Sequence, residues 1–135
     1  MAHSIFERLF DAVGFVRVGT NGNGATTSQR KAAIHRVEKG IAAYNSRKYN
    51  EAETLFRQAI EQDPGYARAH CYLGNTLHKL GAPEEAVFEW KKAVIVDPDS
   101  EAAAKAQAKL NKVTAHNTAI ARSLEESLGM RDERH

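Results

Sequence analysis

Cysteine occurs once, at Cys71, and tryptophan once, at Trp90. A single thiol cannot close an intrachain disulfide or supply a CxxC metal knuckle, so the chain is expected in a reducing, cytoplasmic setting. An excess of one charge is missing as well: 19 Lys and Arg stand against 17 Asp and Glu, a formal net charge of +2. Nothing polyelectrolyte recommends a nucleic-acid ligand, and partners have to be sought in local patterns. There is no long apolar run near residue 1. In "MAHSIFERLFDAVGFVRVG" the residues Glu7, Arg8, Asp11 and Arg17 interrupt the hydrophobicity, which excludes the unbroken core of a secretory signal or a membrane span. Neither Gly nor Pro occurs between 99 and 128. One helix can therefore run through that stretch, with Gly129 as its stop.

What is present is organised by a repeat. At an offset of 34 residues Gly40 pairs with Gly74, Glu51 with Glu85, Ala52 with Ala86, Ala59 with Ala93, Asp63 with Asp97 and Pro64 with Pro98. Phe56 falls opposite Trp90, and Ile60 opposite Val94. A fixed period of this size signals stacked helical hairpins. In the second unit "ARAHCYLGNTLHKLG" reads as a helix ended by Gly81 in a left-handed turn, and "PEEAVFEWKKAVIVDP" restarts with Pro83 in the first turn. In the first unit Ser28 is the expected N-cap of the leading helix. Asn50 is the expected N-cap of the second, with Glu53 as capping-box partner, and Asp63-Pro64 ends it. Small residues at Gly40 and Ala52, and at Gly74 and Ala86, let paired helices approach over Phe56 and Trp90.

The layout "Y-L-G...L...G...A...W..A....P" over residues 72–98, with a looser copy over 33–66, resembles the tetratricopeptide repeat. The resemblance covers about half of the chain. The looser copy has Lys39 where the other has Leu73, and Ala43 where it has Leu77. A third copy begins at "EAAAKAQAKL", capped by Asp99 or Ser100, but Gln107, Ala108 and Asn111 replace the signature residues. That segment is expected to be a capping helix. Its positions Ala103, Ala106, Leu110, Val113, Ile120 and Leu124 alternate spacings of three and four, with Asn117 in the gap, as in a coiled-coil seam.

The expected fold is therefore all-α, an α-solenoid of tetratricopeptide-like hairpins. An N-terminal amphipathic segment (1–18) and a Gly/Asn/Thr linker (19–29) lead into two repeats (30–64 and 65–98). A capping helix (99–128) and a charged tail (129–135) follow. Two repeats and a cap are marginal alone, so the open face of the first repeat is expected to be covered by the N-terminal segment, a second copy or another protein.

The resemblance implies a concave groove lined by the first helix of each hairpin, binding a protein or peptide. Helical spacing names Ile34, Val37, Glu38, Ile41, Tyr44 and Asn45 from the first repeat. Arg68, Cys71, Tyr72, Asn75, His78 and Lys79 come from the second, and Lys105, Lys109 and Lys112 from the cap. One end is apolar and the other basic and amide-bearing, which suits an apolar anchor followed by acidic groups or a free carboxylate. Tyr44 and Tyr72 would supply contact area, with Arg68, Asn75 and Lys79 orienting the polar part. The family's carboxylate clamp of Lys and Asn is not reproduced, since only Asn75 sits at a clamp-like place.

A second reading makes the chain an accessory subunit of an oligomer or a larger, membrane-associated complex. Its anchor would be the stripe of Ile5, Phe6, Leu9, Phe10 and Val13 on a helix from Ser4 to about Val16. Membrane contact would be peripheral only, because Arg8 and Arg17 are balanced by Glu7 and Asp11.

Enzymatic readings do not survive inspection. "GNGATTSQRK" follows a β-branched run and precedes a helix, yet a P-loop needs Lys then Ser or Thr after its last glycine, where Ala25 stands. A dinucleotide fold needs a second strand where the first hairpin lies. His35, His70, His78 and His116 invite a metal, but His78 and Cys71 are two turns apart, too far for one ion. Cys71 lacks a base, and Glu84, Glu85 and Glu89 are expected on a solvated helix face. No cofactor, metal or catalytic residue is expected.

Overall fold

The structure, a computed structural model, describes residues 24–129. Five helices occur among them: α1 Thr27–Asn45, α2 Tyr49–Gln62, α3 Ala67–Lys79, α4 Pro83–Val96 and α5 Glu101–Ser127. The all-α repeat architecture is the one expected.

The ends of these helices follow local chemistry, and two caps differ from expectation. Thr26, not Ser28, caps α1. Its hydroxyl accepts from the Gln29 N–H at 3.1 Å, while the Gln29 amide oxygen accepts from the Thr26 N–H at 2.8 Å. This capping box satisfies two donors at once, so the helix begins at Thr27, inside the expected linker. Asn50 does not cap α2 either. Arg47 adopts φ 62°, and the Lys48 N–H reaches back to the Ala43 carbonyl at 2.9 Å. That turn puts Lys48 at the N-cap with no side-chain bond, and Glu53 pairs with Arg57 instead. Elsewhere the signals act as written: Gly81 takes φ 84° after α3, Pro83 opens α4, and the Ser100 hydroxyl accepts from the Ala103 N–H at 3.0 Å to start α5.

Helices α1 and α2 form one hairpin, α3 and α4 the next, and α5 lies against α4 and α3. Fully buried Phe56, Leu73 and Val37, with Trp90, Leu77 and nine alanines, fill the spaces between them. Burial of a ring such as Phe56 is worth about 2–3 kcal/mol. The two glycines of the repeat are required by contact. A Cβ on Gly40 would stand 2.5 Å from the Phe56 ring, and one on Gly74 2.5 Å from the Trp90 indole. Each hairpin closes because its first helix has no side chain where the partner's aromatic ring lies.

Buried polar groups tie the hairpins. Asp63 is fully buried, accepts the Arg30 guanidinium, and takes the Gly65 N–H at 3.0 Å. The start of α1 is thereby fastened to the joint between repeats. Glu89 corrects the expectation of a solvated carboxylate. It is 7% exposed and lies 2.9 Å from His70 Nδ1, because the offset that buries Ala86, Trp90 and Ala93 also turns it toward α3. Glu84 and Glu85 are exposed.

The capping helix is long and only half supported. Ala103 and Ala106 are in the core, Leu110 and Val113 are half-buried, and residues 114–127 are exposed throughout. No described helix is long and apolar enough to cross a membrane.

Candidate functional site

Helices α1, α3 and α5 share one face, and two adjoining depressions run along it. The first, about 380 Å³, is walled by Arg30, Tyr66, Arg68, Tyr72, Glu101 and Lys105, among others. The second, about 210 Å³, is walled by Tyr44, Asn75, His78, Lys79, Trp90, Lys109, Lys112 and Val113. They meet where Tyr72 of the first and Tyr44 of the second stand edge to face, with ring centres 6.4 Å apart. The floor between is aromatic because Tyr72 also stacks on buried Phe56 at 5.6 Å and Tyr44 touches Tyr49 at 5.3 Å.

Periodicity explains the wall. Arg68, Tyr72, Asn75 and Lys79 recur at spacings of four, three and four on α3, and Lys105, Lys109 and Lys112 at four and three on α5. Two rows from neighbouring helices therefore face each other across the crevice. Arg68 is exposed, and its guanidinium lies 5.7 Å from the Tyr72 ring centre, a placement that preorganises the charge. Lys105 bonds Glu101 at 2.9 Å, one turn away. The hydrogen bond to Lys105 holds the Glu101 carboxyl below the usual carboxylate range, and Glu101 raises Lys105 in return. Burial raises the Tyr44 hydroxyl, helped by Tyr49 and Tyr72.

The structure brings together Arg68, Tyr72 and Lys105 in one depression and Tyr44, Asn75, Lys79 and Lys109 in the other. Asn75 is already engaged, since its side-chain oxygen accepts the Trp90 indole N–H at 3.1 Å. Ile41 is half-buried against the core and lines neither depression. Val37 is wholly buried, contrary to its expected place in the groove, because α1 turns it toward α2 beside Ala33 and Gly40. Cys71 is 3% exposed at the first depression. Burial pushes its thiol up, opposed by Lys105 and Lys109. Sequence spacing missed Arg30, one turn before Ile34 on the same stripe, and also Tyr66, Trp90 and Glu101.

Among the described residues no cluster of His, Cys, Asp and Glu is arranged to hold a metal. The anchor positions Ile5, Phe6, Leu9, Phe10 and Val13 lie outside the described residues. Two cationic rows over an aromatic floor, in shallow open depressions, can hold a segment of chain by its side chains and charge. Residues 43–110 match the family model described as tetratricopeptide repeat.

Proposed function

Since the chain belongs to the tetratricopeptide repeat family, whose repeats generally mediate protein–protein interaction, we propose that it is a non-enzymatic adaptor or assembly factor. Its ligand is a peptide segment carrying an apolar anchor and acidic groups or a free carboxylate. The observation that carries this reading is the pairing of the two depressions. Arg68 and Lys105 flank one, Lys79, Lys109 and Lys112 flank the other, and the contact of Tyr44 with Tyr72 joins them. Aromatic rings supply area at little entropic cost, and the lysines and arginine select for negative charge.

The wall is a binding surface rather than a reaction centre in this reading. Its cations are exposed or paired, and its one thiol is raised by burial rather than activated. The test is capture from the native cell by the full chain, with bound proteins identified by mass spectrometry, against a variant carrying Arg68→Glu and Lys79→Glu. Both positions are exposed, so helicity should be unchanged while the captured partner is lost. Equal capture by the variant rejects the reading.

A further inference from the structure

A second surface adjoins the depressions across α5, sharing Val113 with the second of them. Between α4 and α5 there is a groove of about 540 Å³, walled by Val87, Val94, Ile95, Leu110 and Val113, with Lys91 on its α4 side. Ile95 is 75% exposed there. Further along α5, Ile120 and Leu124 are 46% and 55% exposed, and Leu128 at its C-cap is 68% exposed. At about 100° per residue, Leu110, Val113, Asn117, Ile120 and Leu124 fall within an arc of roughly 80°. The groove wall and the exposed ridge are thus successive halves of one stripe on one helix.

We propose that this stripe is the contact with a second copy of the chain, in which two α5 helices lie antiparallel and the ridge of each occupies the α4–α5 groove of the other. Three observations converge on that occupant. Every copy carries both a groove and a ridge, so a twofold axis covers both surfaces in one closed contact. Charge selects the direction: Lys91 flanks the groove, and the first half of α5 carries Lys105, Lys109 and Lys112 against Glu101, whereas its second half carries Glu125 and Glu126 against Arg122. An antiparallel pair sets the acidic end over the basic half, and a parallel pair would set like over like. Finally, residues 114–127 form about 21 Å of helix that is exposed at every position. A free helix of that length is marginal in water, and a partner helix supplies the missing contact. Asn117 in the middle of an apolar stripe is the kind of residue that fixes register at some cost in stability. The contact borders the peptide-binding face along α5, where Val113 lines both the groove and the second depression, whereas Ile120 and Leu124 line neither depression, so their substitution separates the two surfaces.

Light scattering on the full chain should read twice the chain mass, and Leu124→Glu should reduce it to one. Leu124 is exposed, so the variant keeps its melting transition in the supported helices, and Ile120→Glu should repeat the result. Direction is read by oxidation in a Cys71→Ser background. Chains with Lys91→Cys mixed with chains with Glu125→Cys should form the mixed disulfide in preference to either self-disulfide. A wild-type monomer, or a dimer that survives both glutamate substitutions, overturns the proposal. So does preferential self-crosslinking of Glu125→Cys, which would mean parallel helices. Loss of the dimer on removing residues 1–23 while Leu124→Glu has no effect would assign the contact to the N-terminal segment and overturn it equally.

Discussion

His70 and Glu89 meet inside the second hairpin with Nδ1 2.9 Å from the carboxylate, while His70 Nε2 lies 2.8 Å from the Pro64 carbonyl. The carbonyl can only accept, so Nε2 is the donor of that bond, which leaves Nδ1 to Glu89. One imidazole thus joins α3 to α4 and to the turn that ends the first repeat.

Removing the carboxylate should leave a buried ring nitrogen without its partner. Glu89→Ala is expected to cost about 1–3 kcal/mol in urea denaturation, and Glu89→Gln, which keeps an acceptor, less. Equal stability of Glu89→Ala and the wild type would show that the bond contributes nothing net.

The repeat glycines should behave unlike the turn glycine. Gly74→Ala places a methyl 2.5 Å from an indole that is 2% exposed and hydrogen-bonded to Asn75. An overpacking cost of about 1–3 kcal/mol outweighs the gain in helix propensity, about 1 kcal/mol. Gly81→Ala meets open space but must hold φ 84°, a strain of about 1–2 kcal/mol. Thermal melts of the two variants should both fall, and only Gly74→Ala should alter the near-ultraviolet signal of Trp90.

At the other end of the chain, Thr26→Ala should cost about 1 kcal/mol, because it removes the capping box of α1. Ser28→Ala, at an exposed first-turn position, should stay within about 0.5 kcal/mol of the wild type. Hydrogen exchange of the first turn of α1 would separate the two.

Cys71 predicts a pH profile. Its thiol is raised by burial, with Lys105 and Lys109 opposing, so reaction with a disulfide reagent should be slow and should rise only above the ordinary thiol range. The sign for stability follows from linkage. The folded state holds the proton more tightly than the unfolded chain, so this contribution is complete below the unfolded thiol pKa and is lost as pH rises toward the folded one. Lys105→Ala and Lys109→Ala should each shift the reactivity profile further toward alkaline pH. An unshifted profile would remove the lysines from the account.

The parts of the molecule differ in how far the sequence expresses them. The hairpins were legible because Gly40 and Gly74 must face Phe56 and Trp90, and a steric demand of that kind recurs at a fixed offset. The charged wall was legible for α3 and α5, where spacing alone brings Arg68, Lys79, Lys105 and Lys109 to one face. The caps of α1 and α2 were less so. Thr26 and Ser28 are both competent caps, and only the reach of Gln29 decides between them. The positive φ of Arg47 has no residue signature comparable to glycine. Val37 and Glu89 were misplaced for one reason: a helix in a solenoid has neighbours on several sides, and a stripe named from one of them can point at another. Arg30 with Asp63 was invisible because nothing local pairs an arginine with an aspartate one repeat away.

The bond between Trp90 and Asn75 has an optical consequence. The chain contains one tryptophan, and its indole sits at the wall of the second depression with its N–H held at 3.1 Å and the His78 ring 6.0 Å away. All indole emission from this protein therefore originates beside the surface where a ligand would lie. A segment that enters the depression changes the polarity around that single emitter, so occupancy can be followed by intrinsic fluorescence with no label and no subtraction of signals from elsewhere in the chain.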